Sequence, residues 1–572
     1  MARSPITLRA LAAARGDEPA DLLLTGGRVF SPATREWIPT DLAIADGRVV
    51  AWGRRDALEV IDVDGASVTP AFVDAHMHLE STKLWVDEFV RAVLPHGTTA
   101  VAADPHEVGN VFGIEGIVAL AQAAEGLPFT FGVCASASVP VSHWESAGAV
   151  IDSAGVSALL GEHGAVGVAE IGDWRGAAAG DPEVLAKIAA AGHRRVDGHA
   201  PGLTGAALDA FLTAGVESDH ECVHYEEALE KRRKGMWVFA REGSASRNVR
   251  ELSPLLTRFG TDLVALCTDD REPHLLRTAG HVNDCARIAV ASGVRMEDAL
   301  VAACTNGALY HGFRDLGHLG PGFQADVLVF DDLSTWEPSL VLQKGQVVAR
   351  DGRLVDGAVP DAPPPAWMRH SVRLGARPAP EAFATPEPDG ITKVIGLVPG
   401  TILTTQEEVD LATAGPEVAL VAVVERHRGT GRIGTGYVTG FGPLEGALAS
   451  TVAHDAHNVV VVGPRTEAGR RDMARAVARL AELGGGQVAV HDGEVIGEIA
   501  LPIAGLMSDR PFDEVADVLE AVSAAAVGIG ATIDAPFMQL SFLALTAIPK
   551  LRITDRGVLD VDTFDLADLA VT

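Results

Sequence analysis

Two rhythms of apolar and polar positions alternate along the chain. Between 21 and 67, short apolar runs are cut by turn signals: Leu22-Leu23-Leu24 precedes Gly26-Gly27, and Leu42-Ala43-Ile44 precedes Asp46-Gly47. Asp-Gly between two apolar runs is a strong local hairpin signal. The same texture returns at 325–330 and 343–348. Residues 21–67 and 320–357 are therefore expected to form one small composite β-sandwich domain, interrupted by a long insertion.

Inside the insertion, 68–319, the rhythm changes. Eight short apolar runs (68–75, 98–103, 129–135, 165–171, 194–198, 214–218, 236–240 and 262–268) alternate with Ala/Leu-rich stretches of helical spacing such as 118–124, 183–191 and 204–214. Repeated β-α units imply a parallel sheet, and eight of them a closed (β/α)8 TIM-like barrel. Eight prolines then punctuate 358–389, which reads as an extended linker or wrapping segment. Residues 390–572 resume an α/β texture, with strands expected at 418–424, 459–462 and 487–490 and helices at 471–483 and 512–525, and form a separate C-terminal domain. The first 20 residues carry Arg3, Arg9 and Arg15 among alanines, but Asp17 and Glu18 follow and no long apolar core is present. A surface segment with a short helix is expected there rather than a targeting peptide.

Composition narrows the function classes. At 572 residues the chain exceeds one core. Asp+Glu of 77 against Lys+Arg of 46 gives a net charge of −31, a field that repels phosphate backbones and anionic membranes. Neither a nucleic acid nor a membrane is expected as partner, and no stretch approaches the ~20 apolar residues of a membrane span. The five cysteines, Cys134, Cys222, Cys267, Cys285 and Cys304, are odd in number and lack C-x-x-C spacing. A reduced, cytoplasmic protein is expected.

The candidate chemistry sits at the ends of the apolar runs. His76 and His78 are two apart, so on a strand their imidazoles point the same way, a natural first half of a transition-metal site. Glu170, His199, His220 and Asp269 each close a later run. Four imidazoles and two carboxylates could hold two divalent ions, with Glu170 bridging and Asp269 both a ligand and an acceptor of the proton of an activated water. By ligand softness the set suits Mn, Fe or Zn. Asp104, His106 and Glu107 follow the second run and face the same mouth, either orienting ligands or touching substrate, with a structural turn stabilised by Asp104-Pro105 as the competing reading. By contrast, His96 in Pro95-His96-Gly97 reads as structural. In the C-terminal domain, His454, Asp455, His457 and Asn458 form a polar cluster, read either as part of a cover over the barrel mouth or as a subunit interface.

The order His-x-His, Glu, His, His, Asp resembles the amidohydrolase superfamily of metal-dependent hydrolases. Longer stretches are similar to the bacterial adenine deaminase family: PAFVDAHMHLES (70–81), LPHGTTAVAADPHEVGNVFG (94–113), DGHAPGL (197–203), DHE (219–221), REGSAS (241–246) and CTDD (267–270), then VVERHRGTGRIGTGYVTGFG (423–442), ASTVAHDAHN (449–458) and LPIAGLMSD (501–509). The resemblance implies hydrolysis of adenine to hypoxanthine and ammonia in purine salvage, with two divalent ions, Mn2+ or Fe2+ ahead of Zn2+. It further implies that Glu170 protonates N1, that Asp269 carries a proton to the departing amine and that Asp270 hydrogen-bonds N7. His106 and Glu107 are expected at the substrate, and the enzyme as a homo-oligomer, a dimer. Three stretches depart from the family's wording: 171–174 after Glu170, 138–142, and 271–274 after Asp270. They leave open a deaminase of another aminopurine, a pterin or a related heterocycle, and beside it a purine-binding paralogue without catalysis.

Overall fold

The structure, a computed structural model, describes residues 5–388 and 390–571. Arg3 of the N-terminal segment lies outside the described residues, and a helix occupies Leu8–Arg15. Thr7 caps it and Gly16 ends it in the left-handed conformation.

The Asp46-Gly47 signal becomes a hairpin. Leu42–Ala45 pairs antiparallel with Arg48–Trp52, and both turn residues take positive φ, 50° and 74°, which matches the right-handed twist of the flanking strands. This hairpin lies in a four-stranded sheet. A seven-stranded sheet faces it and joins Arg28–Ser31 and Ser67–Pro70 to Val327–Phe330 and Leu340–Gln343 across the insertion. Leu22, Ile44, Val68, Val327 and Leu342 share one core between the two sheets.

One expected run divides. Ser67–Pro70 pairs with Val327–Phe330, whereas Phe72–Met77 pairs parallel with Thr98–Ala103. The chain passes from one sheet to another at Ala71, directly after Pro70.

Phe72–Met77 is the first of eight parallel barrel strands. The others are Thr98–Ala103, Thr130–Val133 continued by Ala135–Ser136, Val168–Ile171, Val196–Gly198, Ser218–Asp219, Trp237–Arg241 and Val264–Cys267. The third changes partner midway, pairing first with the second strand and then with the fourth. The barrel closes between the eighth strand and the first: Met77 bridges Asp269, and the Asp269 amide donates to the His76 carbonyl at 3.0 Å. Small interior residues, Ala75, Ala100, Ala102, Ala169 and Ala265, leave room for Tyr310 and Phe313 to pack among them. The interior is thus a core with its chemistry confined to the strand ends.

The proline-rich stretch wraps the barrel. Trp85 Nε1 donates to the Ala362 carbonyl at 2.6 Å, and further along the Ala504 amide donates to the Met368 carbonyl at 2.8 Å. Beyond it lies an eight-stranded sheet with the helix Glu467–Leu483 packed through Met473, Ala476, Val477 and Leu480. This last unit sits on the loops that leave the C-terminal ends of the barrel strands. Trp85 N donates to the Ser508 carbonyl at 2.9 Å, Ser146 N to Asp555 Oδ1 at 3.0 Å, and Asn458 Nδ2 to the Ser146 carbonyl at 2.8 Å. No helix of the described residues is long and apolar enough to cross a membrane.

Candidate metal centre

The six residues that end the apolar runs meet around one carboxylate. Glu170 Oε1 lies 3.0 Å from His76 Nε2, 2.9 Å from His78 Nε2 and 3.7 Å from His220 Nε2, while Glu170 Oε2 lies 3.1 Å from His199 Nδ1. Asp269 Oδ1 is 3.3 Å from His78 Nε2 and 3.6 Å from His76 Nε2. All six residues are buried, none more than 7% exposed. The His76 and His220 rings stack at 4.0 Å.

The backbone aims these groups. His76 points inward from the first strand, and Asp269 is held with φ of 55°, a left-handed conformation uncommon outside glycine and concentrated at functional sites. His78 Nδ1 lies 3.0 Å from the Asp104 carbonyl, an acceptor only, so Nδ1 carries the proton and Nε2 offers its lone pair to the centre.

Carboxylates and guanidinium set the charge of the site. Burial pushes the Asp269 and Glu170 carboxyls up, yet the Arg241 guanidinium and His78 hold Asp269 well below the usual carboxylate range, and His78 and His220 do the same for Glu170. Burial disfavours a charged His199, but Glu221 and Glu170 outweigh it and lift the ring to about 9. His78 and His199 thus hold protons where a cation would otherwise balance the carboxylates, whereas burial and His76 push His220 well below its ordinary value.

Both ring nitrogens of His199 and of His220, with His76 Nε2 and Glu170 Oε1, are buried and make no well-formed hydrogen bond. Orphaned donors of this kind are costly unless something satisfies them. Nitrogen and carboxylate donors meeting at one point fit divalent ions, and among the described residues His76/Glu170/His220 and His76/His78/Asp269 each bring three donor atoms within 4.8 Å.

The other expected residues separate into two tiers. His106 and Asp270 line the small cavity at the centre; Glu107 lies behind its wall, its Oε1 3.0 Å from Ser81 Oγ. Ser81 Oγ is also hydrogen-bonded to Asp270, so a protonated Glu107 donates to the hydroxyl and the hydroxyl's single proton goes to Asp270. Asp104 accepts from Ser136 Oγ and lies 3.0 Å from His106 Nδ1.

Sequence reasoning missed Glu221 and Arg241. The Arg241 guanidinium sits between two carboxylates, donating to Glu221 Oε2 at 2.8 Å and to Asp269 Oδ2 at 2.7 Å. Glu221 Oε1 reaches within 3.5 Å of His220 and 3.7 Å of His199. The signal was a charged residue closing a run of buried apolar positions, Trp237–Ala240, the same cue that marked Glu170. The departures in wording bear less on the cavity than expected. No residue of 138–142, 171–174 or 271–274 lines it; Ser138 accepts from Gly172 N and donates to the Glu170 carbonyl, and Arg271 is tied to Asp284.

Residues 67–357 match the amidohydrolase family, and residues 401–565 match the adenine deaminase C-terminal domain. An adenine deaminase of Desulfatibacillum aliphaticivorans is 41% identical over 569 residues, covering 98% of this chain and 99% of that protein. The chain belongs to the adenine deaminase family. Adenine deaminase 1 of Rhizobium meliloti (strain 1021) is 42% identical, with 96% of this chain and 97% of that protein covered, and the adenine deaminase of Cereibacter sphaeroides is 42% identical, with 96% and 98% covered. Membership in this family accounts for the whole length, the barrel and the domain seated on its mouth alike.

Proposed function

We propose that this chain hydrolyses adenine to hypoxanthine and ammonia, with two divalent ions, Mn2+ or Fe2+ ahead of Zn2+, held by His76, His78, Glu170, His199, His220 and Asp269. The observation that carries this reading is the convergence of those six side chains around Glu170 at the C-terminal mouth of a closed barrel, in a chain of this family. The ions would supply a water acidified to near neutrality and would polarise the carbon under attack.

The chain's own groups manage the protons. Asp269 is an anion at neutral pH because Arg241 and His78 favour its charge. It is placed to take a proton from the attacking water and, being a weak base, to release it to the departing amine. Glu170, an anion at neutral pH, would first take one proton of the attacking water and pass it to N1 of the purine, while Asp269 passes the other to the amine. Asp270, held by Ser81, would hydrogen-bond N7. His106 faces the same cavity; Glu107 acts on substrate through Ser81 and Asp270 on this reading. The C-terminal domain over the mouth excludes bulk water, which strengthens each of these interactions. Cytoplasmic residence is supported by five buried, unpaired cysteines; a dimer is part of the same proposal, and sedimentation would test it.

Ammonia release from adenine by the manganese-loaded protein tests the reading, run beside a panel of aminopurines and pterins with the ions counted by elemental analysis. Turnover of adenine with about two ions per chain is expected. Turnover of another heterocycle but not adenine would defeat it.

A further inference from the structure

Five side chains around the central cavity come from beyond the barrel: Ile402, His454, Asp455, Phe542 and Leu545. Neither ion binding nor water activation requires any of them. We propose that they form the ring-recognition half of the site, in which Ile402, Phe542 and Leu545 cover the face of the heterocycle while His454 and Asp455 hydrogen-bond its ring nitrogens. This rests on the heterocyclic amine hydrolysis proposed above and assigns the C-terminal domain the selection of substrate.

Three observations carry it. The barrel contributes only charged and imidazole groups to the cavity, whereas Ile402, Phe542 and Leu545 belong to one apolar cluster with Met538 and Ile548. A flat aromatic substrate needs an apolar face beside a few aimed polar groups, and only the C-terminal domain supplies that face. The His454 ring lies 4.9 Å from that of Phe542 and within 18° of parallel, so the slab continues into a polar edge.

His454 Nε2 is buried with no hydrogen-bond partner, and Nδ1 meets Glu107 and Asp455 only at 3.6 and 3.9 Å. Asp455 Oδ1 in turn meets His106 Nε2 at 3.4 Å, and that nitrogen also makes no well-formed bond. Buried polar atoms this loosely matched to one another are suited to a partner that arrives with the substrate.

The loop that carries them is nonetheless fixed. The Ala453 amide donates to His457 Nδ1 at 3.0 Å, leaving the Nε2 proton facing Glu107 at 3.4 Å, and Asn458 Nδ2 anchors the loop to the barrel through the Ser146 carbonyl. The cavity itself measures about 20 Å3, room for about one water, so a purine enters only as these walls part. Residues that must close on the ring are where selection is exerted.

The test uses the full-length, manganese-loaded protein with Asp455→Asn, His454→Asn and Leu545→Ala, each checked by thermal unfolding and elemental analysis. Steady-state ammonia release from adenine is measured beside calorimetric binding of hypoxanthine. In the two polar variants KM and the hypoxanthine Kd are expected to rise by about 10- to 100-fold with kcat less affected, the range for hydrogen bonds to charged groups. Leu545→Ala should raise KM by about 10-fold. Metal content should not change.

Wild-type activity on adenine with variant KM values within about twofold would overturn the proposal. So would loss of an ion in Asp455→Asn, because His106, His454 and Asp455 bring donor atoms within 4.8 Å and would then be a ligand set. If the wild type deaminates a different heterocycle, the function reading fails, and the same comparison with that compound decides this one.

Discussion

Replacing Arg241 by Gln tests how the site stores its charge. The guanidinium is 1% exposed and bonds two buried carboxylates, Glu221 and Asp269, at distances of 2.7 to 2.8 Å in the two longer contacts. Its removal leaves only imidazoles to balance the two acids, His199 beside Glu221 and His78 beside Asp269. Breaking a buried pair from one side costs about 3–5 kcal/mol, because the remaining charge stays desolvated. Arg241 lowers the proton affinity of both Asp269 and Glu221. A carboxyl whose folded pKa is depressed contributes stability above its unfolded pKa and loses it as pH falls through the folded value. In Arg241→Gln the Asp269 contribution should therefore disappear at a higher pH than in the wild type. Thermal unfolding of chelator-treated protein from pH 4 to 8 isolates the effect from any bound ion. At 2–4 °C per kcal/mol for a domain of barrel size, the variant should melt about 6–20 °C lower at pH 7, with the gap closing toward pH 4. An unchanged melting temperature at pH 7, or a gap that widens in acid, would refute the reasoning.

Four further outcomes follow from the same geometry. Asp269→Asn should keep the fold and lose turnover by about 100- to 10,000-fold, read as ammonia release, since an amide cannot carry the proton. Chelation should abolish turnover and Mn2+ should restore it. Because His199 in the ion-free site holds its proton up to about 9, loading at pH 8 should release protons and affinity should fall as pH is lowered, both seen by calorimetry in buffers of different ionisation heat. Glu242, buried and pushed up to about 7, opposes folding above its ordinary range; Glu242→Gln should stabilise the protein by roughly 3 kcal/mol at pH 8 and not at pH 4, measured by denaturant unfolding.

The parts of this molecule legible in the sequence are those fixed by local periodicity. Eight apolar runs gave the barrel, and a polar residue closing a buried run marked His76, Glu170 and Asp269, because strand ends in such a barrel face one mouth. Asp46-Gly47 was legible because only a few residues accept two successive positive φ values. Arg241 and Glu221 were harder to see. Each obeys the strand-end cue, but whether a charged side chain turns into the barrel or out to solvent depends on the partner it meets, and those partners lie 20 and 28 positions away in sequence. The passage between sheets at Ala71 was signalled only by Pro70, inside a run whose apolar texture continues on both sides. His454 and Asp455 stood out as polar, yet their destination depended on how a whole domain docks, which no local pattern records.

The charge balance of the mouth ties these pieces together. Glu80, Asp104, Glu107, Glu170, Glu221, Asp269 and Asp455 are all buried there, and Arg241 is the guanidinium that bonds two of them. A carboxylate in a dry site must be paired, protonated or bound to a cation. Glu107 takes the second course: burial and its neighbours Glu80 and Asp270 push its carboxyl well above the usual range. Glu170 is held ionised instead by His78, and Asp269 by Arg241 and His78; imidazoles that carry a second proton must surrender it for the donor set to bind metal. The site is thus divided into acids that stay charged beside the reacting centre and acids that become neutral behind it. That division suits a hydrolytic deaminase: anions at the centre have the charge to attract divalent ions, while a neutral Glu107 has a proton to give to Ser81 Oγ, whose own proton then goes to Asp270.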